Sequence, residues 1–268
     1  MQTSTLITGA GTVRDREWTR RTAIVVGFAA LCFAGVMLGL KPIAQDITYH
    51  AFADDRDWVG IPNFQNVASN MPFLLVGMAG LSWLRRWDAA LDPELQPAYL
   101  TLFLGLIGTA FGSAYYHWAP TSETLFWDRM PIAIGFMGLF AALLGERMGP
   151  DVGARLLGPL ILYAVGSVIY WRFTDDLRPY AIAQFFPLLA IPLLLWLFPA
   201  RYTHGSALLV AIGCYVFAKL IELVDGTIYS FGHLISGHTL KHLAAAYGAW
   251  IVVRMLVRRR PIAADTKA

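Results

Sequence analysis

Eight apolar stretches of roughly twenty residues follow one another along the chain, at about 23–41, 65–84, 97–117, 127–146, 152–171, 179–198, 206–225 and 234–257. A helix needs roughly 20 mostly apolar residues to cross a bilayer, and in hydrocarbon only helices and closed barrels satisfy their own backbone groups. Stretches of this length and number imply an all-α integral membrane protein. Composition agrees: 57% of the 268 residues are hydrophobic and 15% are charged, against about 25% charged in soluble domains. So few charges cannot cover a water-facing surface. The net charge of +3 is small, so no nucleic-acid partner is expected. No internal repeat or low-complexity linker divides the chain, and one membrane domain accounts for it. Cys32 and Cys214 both lie in apolar runs, too few for a disulfide framework and without metal-motif spacing.

The first stretch lacks charge entirely. Its apolar run exceeds that of a signal peptide and "GLKPIAQD" has no small-x-small cleavage site, so an uncleaved anchor is expected. Lys and Arg set the orientation. With the N-terminus cytoplasmic and eight alternating spans, one side collects Arg14, Arg16, Arg20, Arg21, Arg85, Arg86, Arg147, Arg155 and Arg201. It also takes the tail residues Arg254, Arg258, Arg259, Arg260 and Lys267. The other side receives only Lys41, Arg56, Arg129, Arg172 and Arg178. Both termini are therefore expected inside.

Ionisable groups at membrane depth are costly and mark functional positions. The informative set is Ser113 and His117 in "FGSAYYHWAP", Asp128 in "FWDRMP", and His238 with His242 in "SGHTLKHLAAAYGAW". In the eight-span arrangement these lie at the extracytoplasmic ends of spans three, four and eight. The charge asymmetry used to orient the spans does not involve them, so their shared depth is an independent indication of one site.

His238 and His242 are i and i+4, on one helix face about 6 Å apart along the axis. Two such imidazoles can share one metal, and His117 can add a third nitrogen from a neighbouring helix. Three protein ligands with an open position is the arrangement of catalytic zinc, whereas structural zinc is usually closed by four. Ser113 shares the His117 face one turn away, and Asp128 is placed to take a proton from water. A haem is not served by the histidine pair, whose rings cannot approach from opposite faces. His50, His204 and His233 receive no role, although His233 is close enough in sequence to be another ligand. Lys219 and Glu222 form an i, i+3 pair, with Asp225 one step beyond; a neutralising intramembrane ion pair and a role beside the pocket both fit.

These residues together resemble the alkaline ceramidase family. The likeness rests on "GSAYYH", an aspartate eleven residues later followed by "RMP", and "GHTLKH" in the final span. "NFQNVASN" at 63–70 resembles the stretch that opens the family's first helix. The family belongs to a superfamily of seven-helix membrane hydrolases that also includes the progestin and adipoQ receptors, and the likeness covers about residues 54–257. It implies a seven-helix bundle around zinc held by His117, His238 and His242. Asp128 would handle the proton, and Ser113 would hold the site or the developing oxyanion. It also implies a calcium site before the first core helix. Asp57 and Trp58 match that site, while Asn63 stands where an acidic ligand is expected.

The expected organisation is a cytoplasmic segment 1–22, an extra transmembrane helix 23–41, a seven-helix domain 54–257 and a basic cytoplasmic tail 258–268. The expected activity is zinc-dependent hydrolysis of an amide in a lipid-like substrate, ceramide-like or another N-acyl lipid. The setting is a bacterial inner (plasma) membrane, with the site near the extracytoplasmic face. A non-catalytic zinc-containing lipid receptor and an esterase or phospholipase using the same site are the competing readings. A transporter with Lys219, Glu222 and Asp225 as its path is a further one, without the repeated halves or broken helices expected of it.

Overall fold

A computed structural model describes residues 7–86 and 92–262, with side chains from Asp15 onward. The described chain is helical, with two isolated β-bridges, Trp58 with Ile61 and Tyr202 with Pro261. The helices are α1 Ile7–Gly39, α2 Phe64–Ala68, α3 Met71–Leu84, α4 Gln96–Trp118 and α5 Ser122–Met148. They continue with α6 Pro150–Thr174, α7 Arg178–Leu197, α8 Ala207–Leu223, α9 Asp225–Ser230 and α10 Gly237–Arg258. Among the described residues, seven segments are long and apolar enough to cross a membrane: Asp15–Gly39, Phe64–Leu84, Pro93–Trp118, Ser122–Met148, Pro150–Thr174, Arg178–Leu197 and Gly237–Arg258. This is the pattern of a multi-pass integral membrane protein.

The sequence and the structure differ over two spans. The stretch expected at 206–225 yields α8, which has 17 residues and breaks at Val224. The break has a polar cause. Asp225, which a continued helix would carry into the apolar layer, instead turns to accept the backbone N–H groups of Ala53 and His238 at 3.0 and 2.7 Å. At the N-terminus the helix starts at Ile7 rather than at residue 23. No proline interrupts "VRDREWTRRTA", and Arg21 pairs with Glu17 one turn back, so the helix runs on through the charged segment. Residues 1–6, the start of the N-terminal segment, and 263–268, the end of the basic tail, lie outside the described residues.

Helix starts are marked in the sequence. Thr121 caps α5: its hydroxyl accepts the Thr124 N–H at 3.1 Å while the Thr124 hydroxyl accepts the Thr121 N–H at 3.0 Å. Ser236 caps α10 by accepting the Thr239 N–H at 3.1 Å. Pro72, Pro97 and Pro179 sit in the first turns of α3, α4 and α7, where a missing N–H costs nothing.

The bundle is organised around α4 and α5, with α3 and α10 on one side, α6 and α7 on the other, and α8 leaning on α10. Without a hydrophobic drive between helices in lipid, close approach at small residues supplies the packing. A Cβ on Gly105 would stand 2.6 Å from the Gly135 Cα. The larger core, with Tyr99, Phe103, Leu143, Ile191 and Leu256, fills one end of the bundle. The smaller, with Tyr116, Leu125, Val168, Trp171 and Tyr180, fills the other. The first end is tied by a buried ion pair between Arg259 and Glu146, to which Tyr99 also donates. α1 packs mainly on α7, and Trp18 also donates to the Met148 carbonyl at 3.2 Å. Its last carbonyls are closed by the Arg178 guanidinium, which donates to Met37 and Leu40 at 2.9 and 2.7 Å. α7 and α8 scarcely touch.

Candidate metal centre and its cavity

Three buried imidazoles converge at the end of the bundle that holds the smaller core. His117 lies on the last turn of α4, and His238 and His242 lie on the first turns of α10, all three buried. One ring nitrogen from each lies within 4.8 Å of the other two, and ring centroids are 4.8–5.0 Å apart. The Nε2 atoms of His117 and His238 are 3.3 Å apart. Two nitrogens held tetrahedrally at zinc, each about 2.0–2.1 Å from the ion, are about 3.3 Å apart. A hydrogen bond between two rings would account for that pair but not for the third imidazole aimed at the same point. The donor set therefore fits a metal ion.

The three histidines are held by a polar brace that begins where α2 begins. Asn63 donates to the His117 carbonyl at 2.9 Å. The Ser69 hydroxyl lies 2.8 Å from His242 Nδ1 and donates to the Asn66 carbonyl at 3.1 Å. With the hydroxyl proton so committed, His242 Nδ1–H donates to Ser69 and Nε2 is left bare, the tautomer a metal requires. Thr239 donates to the Asn66 amide oxygen at 3.0 Å, locking the first turn of α10 to α2. Phe52 covers the centre from the segment before α2, its ring 4.7 Å from that of His117 and 4.6 Å from that of His238. That segment is secured by Arg56, which donates to both Asp54 oxygens at 2.7 Å. Burial works against the Asp54 carboxylate, but the Arg56 bonds outweigh it and hold the group below its usual range.

Asp128 and Ser113 meet because α4 and α5 approach closely at the neighbouring residues. Pro131 cannot donate to the carbonyl one turn back, that of Trp127. A Cβ on Gly112 would stand 2.0 Å from this carbonyl oxygen, so only glycine fits. The contact sets Ser113 beside the Asp128 carboxyl. Asp128 is buried, and among the described residues its Oδ1 has no hydrogen-bond partner, as is also true of His117 Nδ1. A buried carboxylate oxygen left unpaired marks a position awaiting a ligand, water or proton.

Ser113, Asp128 and His242 share the wall of a cavity of about 360 Å³. From these polar groups it runs between α4, α5, α7, α8 and α10 along Leu106, Leu139, Leu188, Ile191 and Val252. One end is polar and the rest is apolar. Lys219 pairs with Glu222 at 2.9 Å as the spacing suggested, and Lys241 joins the same carboxylate from α10. Tyr49 donates to Glu222 at 3.2 Å. Burial and then the Glu222 charge push its phenol above the usual range, so it stays a donor.

The other residues that the sequence picks out are dispersed. His233 is exposed and packs on Tyr229, 4.9 Å between ring centroids, outside the three-histidine group. His204 is exposed, and His50 lies between the Tyr116 and Ser122 hydroxyls at 2.9 and 3.2 Å. Asp225 braces the His238 N–H rather than extending the lysine–glutamate pair. Asp57 accepts the Gly60 N–H at 3.2 Å, Trp58 is exposed, and Asn63 is committed to His117. Cys32 and Cys214 are free and half-buried. Ser69 and Asn66 belong to the site, although no motif assigns them a role there. Their signal is the cluster of polar residues in "NFQNVASN" at 63–70, just ahead of an apolar run, within which 63, 66 and 69 share one helix-like face. No protein-family model matches the chain, and no curated protein is significantly similar to it.

Proposed function

We propose that the chain is a zinc-dependent membrane hydrolase that cleaves an amide bond in a lipid-like substrate. The observation that carries this reading is that one of three converging imidazoles, His242, shares a cavity wall with a buried unpaired carboxylate and a long apolar surface. His117, His238 and His242 would hold the ion. When bound, zinc polarises a carbonyl oxygen and lowers the pKa of water towards neutrality. Asp128 accepts a proton from water at its free Oδ1 and returns it to the leaving amine. Ser113, beside that carboxyl, orients it or donates to the developing oxyanion. Phe52 keeps bulk water off the histidines. The apolar wall holds the substrate chain, and the thin contact between α7 and α8 gives the chain a way in from the bilayer. The likeness to alkaline ceramidases supports the same assignment of roles.

The reading includes eight spans, with α8 completing the crossing despite its length and α1 standing outside a seven-helix bundle. The Lys and Arg asymmetry puts the site near the extracytoplasmic face of a bacterial inner (plasma) membrane. The test is release of free fatty acid from long-chain acyl amides and matched esters by purified protein in micelles. Hydrolysis of amides that stops when His242 becomes Ala supports the proposal. Hydrolysis of esters alone makes the protein an esterase, and no hydrolysis across the panel favours a lipid receptor.

A further inference from the structure

The polar end of the cavity carries more positive charge than the proposed hydrolysis of a neutral amide requires. Arg129, Lys219 and Lys241 all line it, with Asp128 the carboxylate on the same wall. Glu222 takes both lysines. Counting it, three cations still face two carboxylates. Arg129 is the informative one. It is buried, and among the described residues no carboxylate lies within ion-pair distance of it.

Its guanidinium lies over the Trp171 ring at 4.1 Å and the Tyr180 ring at 5.0 Å, and Nη2 donates to the Gln45 amide oxygen. Nη1 is buried with no hydrogen-bond partner among the described residues. Aromatic faces offset part of the desolvation of a cation, but they do not satisfy an N–H donor, and leaving one buried and unpaired is costly. An oxygen anion entering the cavity beside Arg129 would meet the positive excess and give the buried Nη1–H an acceptor once the guanidinium turns towards it. Guanidinium suits this task, since its planar fork matches carboxylate and phosphate oxygens.

We infer that Arg129, helped by Lys219 and Lys241, forms a subsite for an anionic group, carboxylate or phosphate, on the head of the amphiphile that fills the apolar cavity. The substrate class is then an acidic N-acyl lipid rather than a neutral one. This rests on the cavity being the substrate site of the proposed hydrolase. The positive excess and the orphaned guanidinium N–H are independent of how the bond is cleaved.

The test is binding at constant chain length. Dodecanoate, dodecyl phosphate and dodecanol are titrated calorimetrically into purified zinc-containing protein in maltoside micelles. The subsite predicts that at least one anion binds roughly 10–100-fold more tightly than the alcohol, the range of charge-assisted hydrogen bonds. Comparing the two anions identifies which oxygen geometry is used. Arg129→Gln should cut the anion-to-alcohol ratio by about tenfold or more with zinc content unchanged. Because the guanidinium also packs on two aromatic rings, Lys219→Gln serves as a second variant, with a smaller fall in the same ratio. Equal binding of all three amphiphiles overturns the proposal. So does a preference that survives both substitutions at unchanged zinc content, which would place the anion on the metal. No turnover is needed, so selective anion binding without hydrolysis would sink the hydrolase reading alone. Amide hydrolysis with no anion preference would sink this one alone.

Discussion

His242 can serve as a metal ligand because Ser69 fixes which of its nitrogens is bare. The 2.8 Å contact from Ser69 to Nδ1 turns Nε2 towards the other two imidazoles. Groups that orient metal ligands in this way are typically worth roughly 10–100-fold in affinity. Ser69→Ala should therefore weaken zinc binding by that factor, measured by competition with a chelator of known affinity. His242→Ala removes a ligand outright and should leave the purified protein nearly free of zinc by elemental analysis; unchanged zinc in that variant would mean the site is elsewhere. The histidines are legible in the sequence because their types and i, i+4 spacing announce them. Ser69 is not, because a hydroxyl in an apolar helix more often bonds its own backbone than a residue on another helix.

The crossing of α4 and α5 is where spacing along the chain becomes a site. Gly112 lies against the Trp127 carbonyl that Pro131 leaves free, and the residues following each, Ser113 and Asp128, are thereby joined. Gly112→Ala would put a Cβ 2.0 Å from that oxygen and force the helices apart. Overpacking of this kind typically costs about 1–3 kcal/mol, so a lower melting midpoint in detergent is expected. Hydrolysis should fall further than stability alone explains. The shared carboxylate between α8 and α10 makes a second prediction. Glu222→Ala leaves Lys219 and Lys241 together without their partner, a change worth about 3–5 kcal/mol when the charges are buried. Glu222→Gln, which loses the charge but keeps an acceptor, should be milder, and midpoints unchanged from wild type in both variants would show that the carboxylate does not matter. The Lys219–Glu222 half of this group is readable from its i, i+3 spacing. The Lys241 half depends on how two distant helices pack and has no local signal.

For the molecule as a whole, hydropathy is enough to identify a helical membrane protein, because the bilayer imposes one length on every crossing. It is not enough to count the crossings. α8 is 17 residues long and ends where Asp225 leaves the helix to brace His238, so the polar site shortens the element that supports it. The proposed orientation predicts that reporters fused after Arg86 and after Arg260 both report the cytoplasm. Opposite sides for the two would remove the eight-span arrangement.

The proposed chemistry depends most on Asp128 moving a proton at a site that the three histidines hold. Asparagine keeps its shape and its hydrogen bonds but cannot accept a proton near neutral pH. The decisive measurement is fatty-acid release from a long-chain acyl amide by wild-type and Asp128→Asn protein, with zinc content determined on the same samples. The prediction is about one zinc per chain in both, with the rate in the variant lower by roughly 10²–10⁴-fold, the usual contribution of a general acid–base group. A variant that retains its zinc and hydrolyses the amide at the wild-type rate would contradict it.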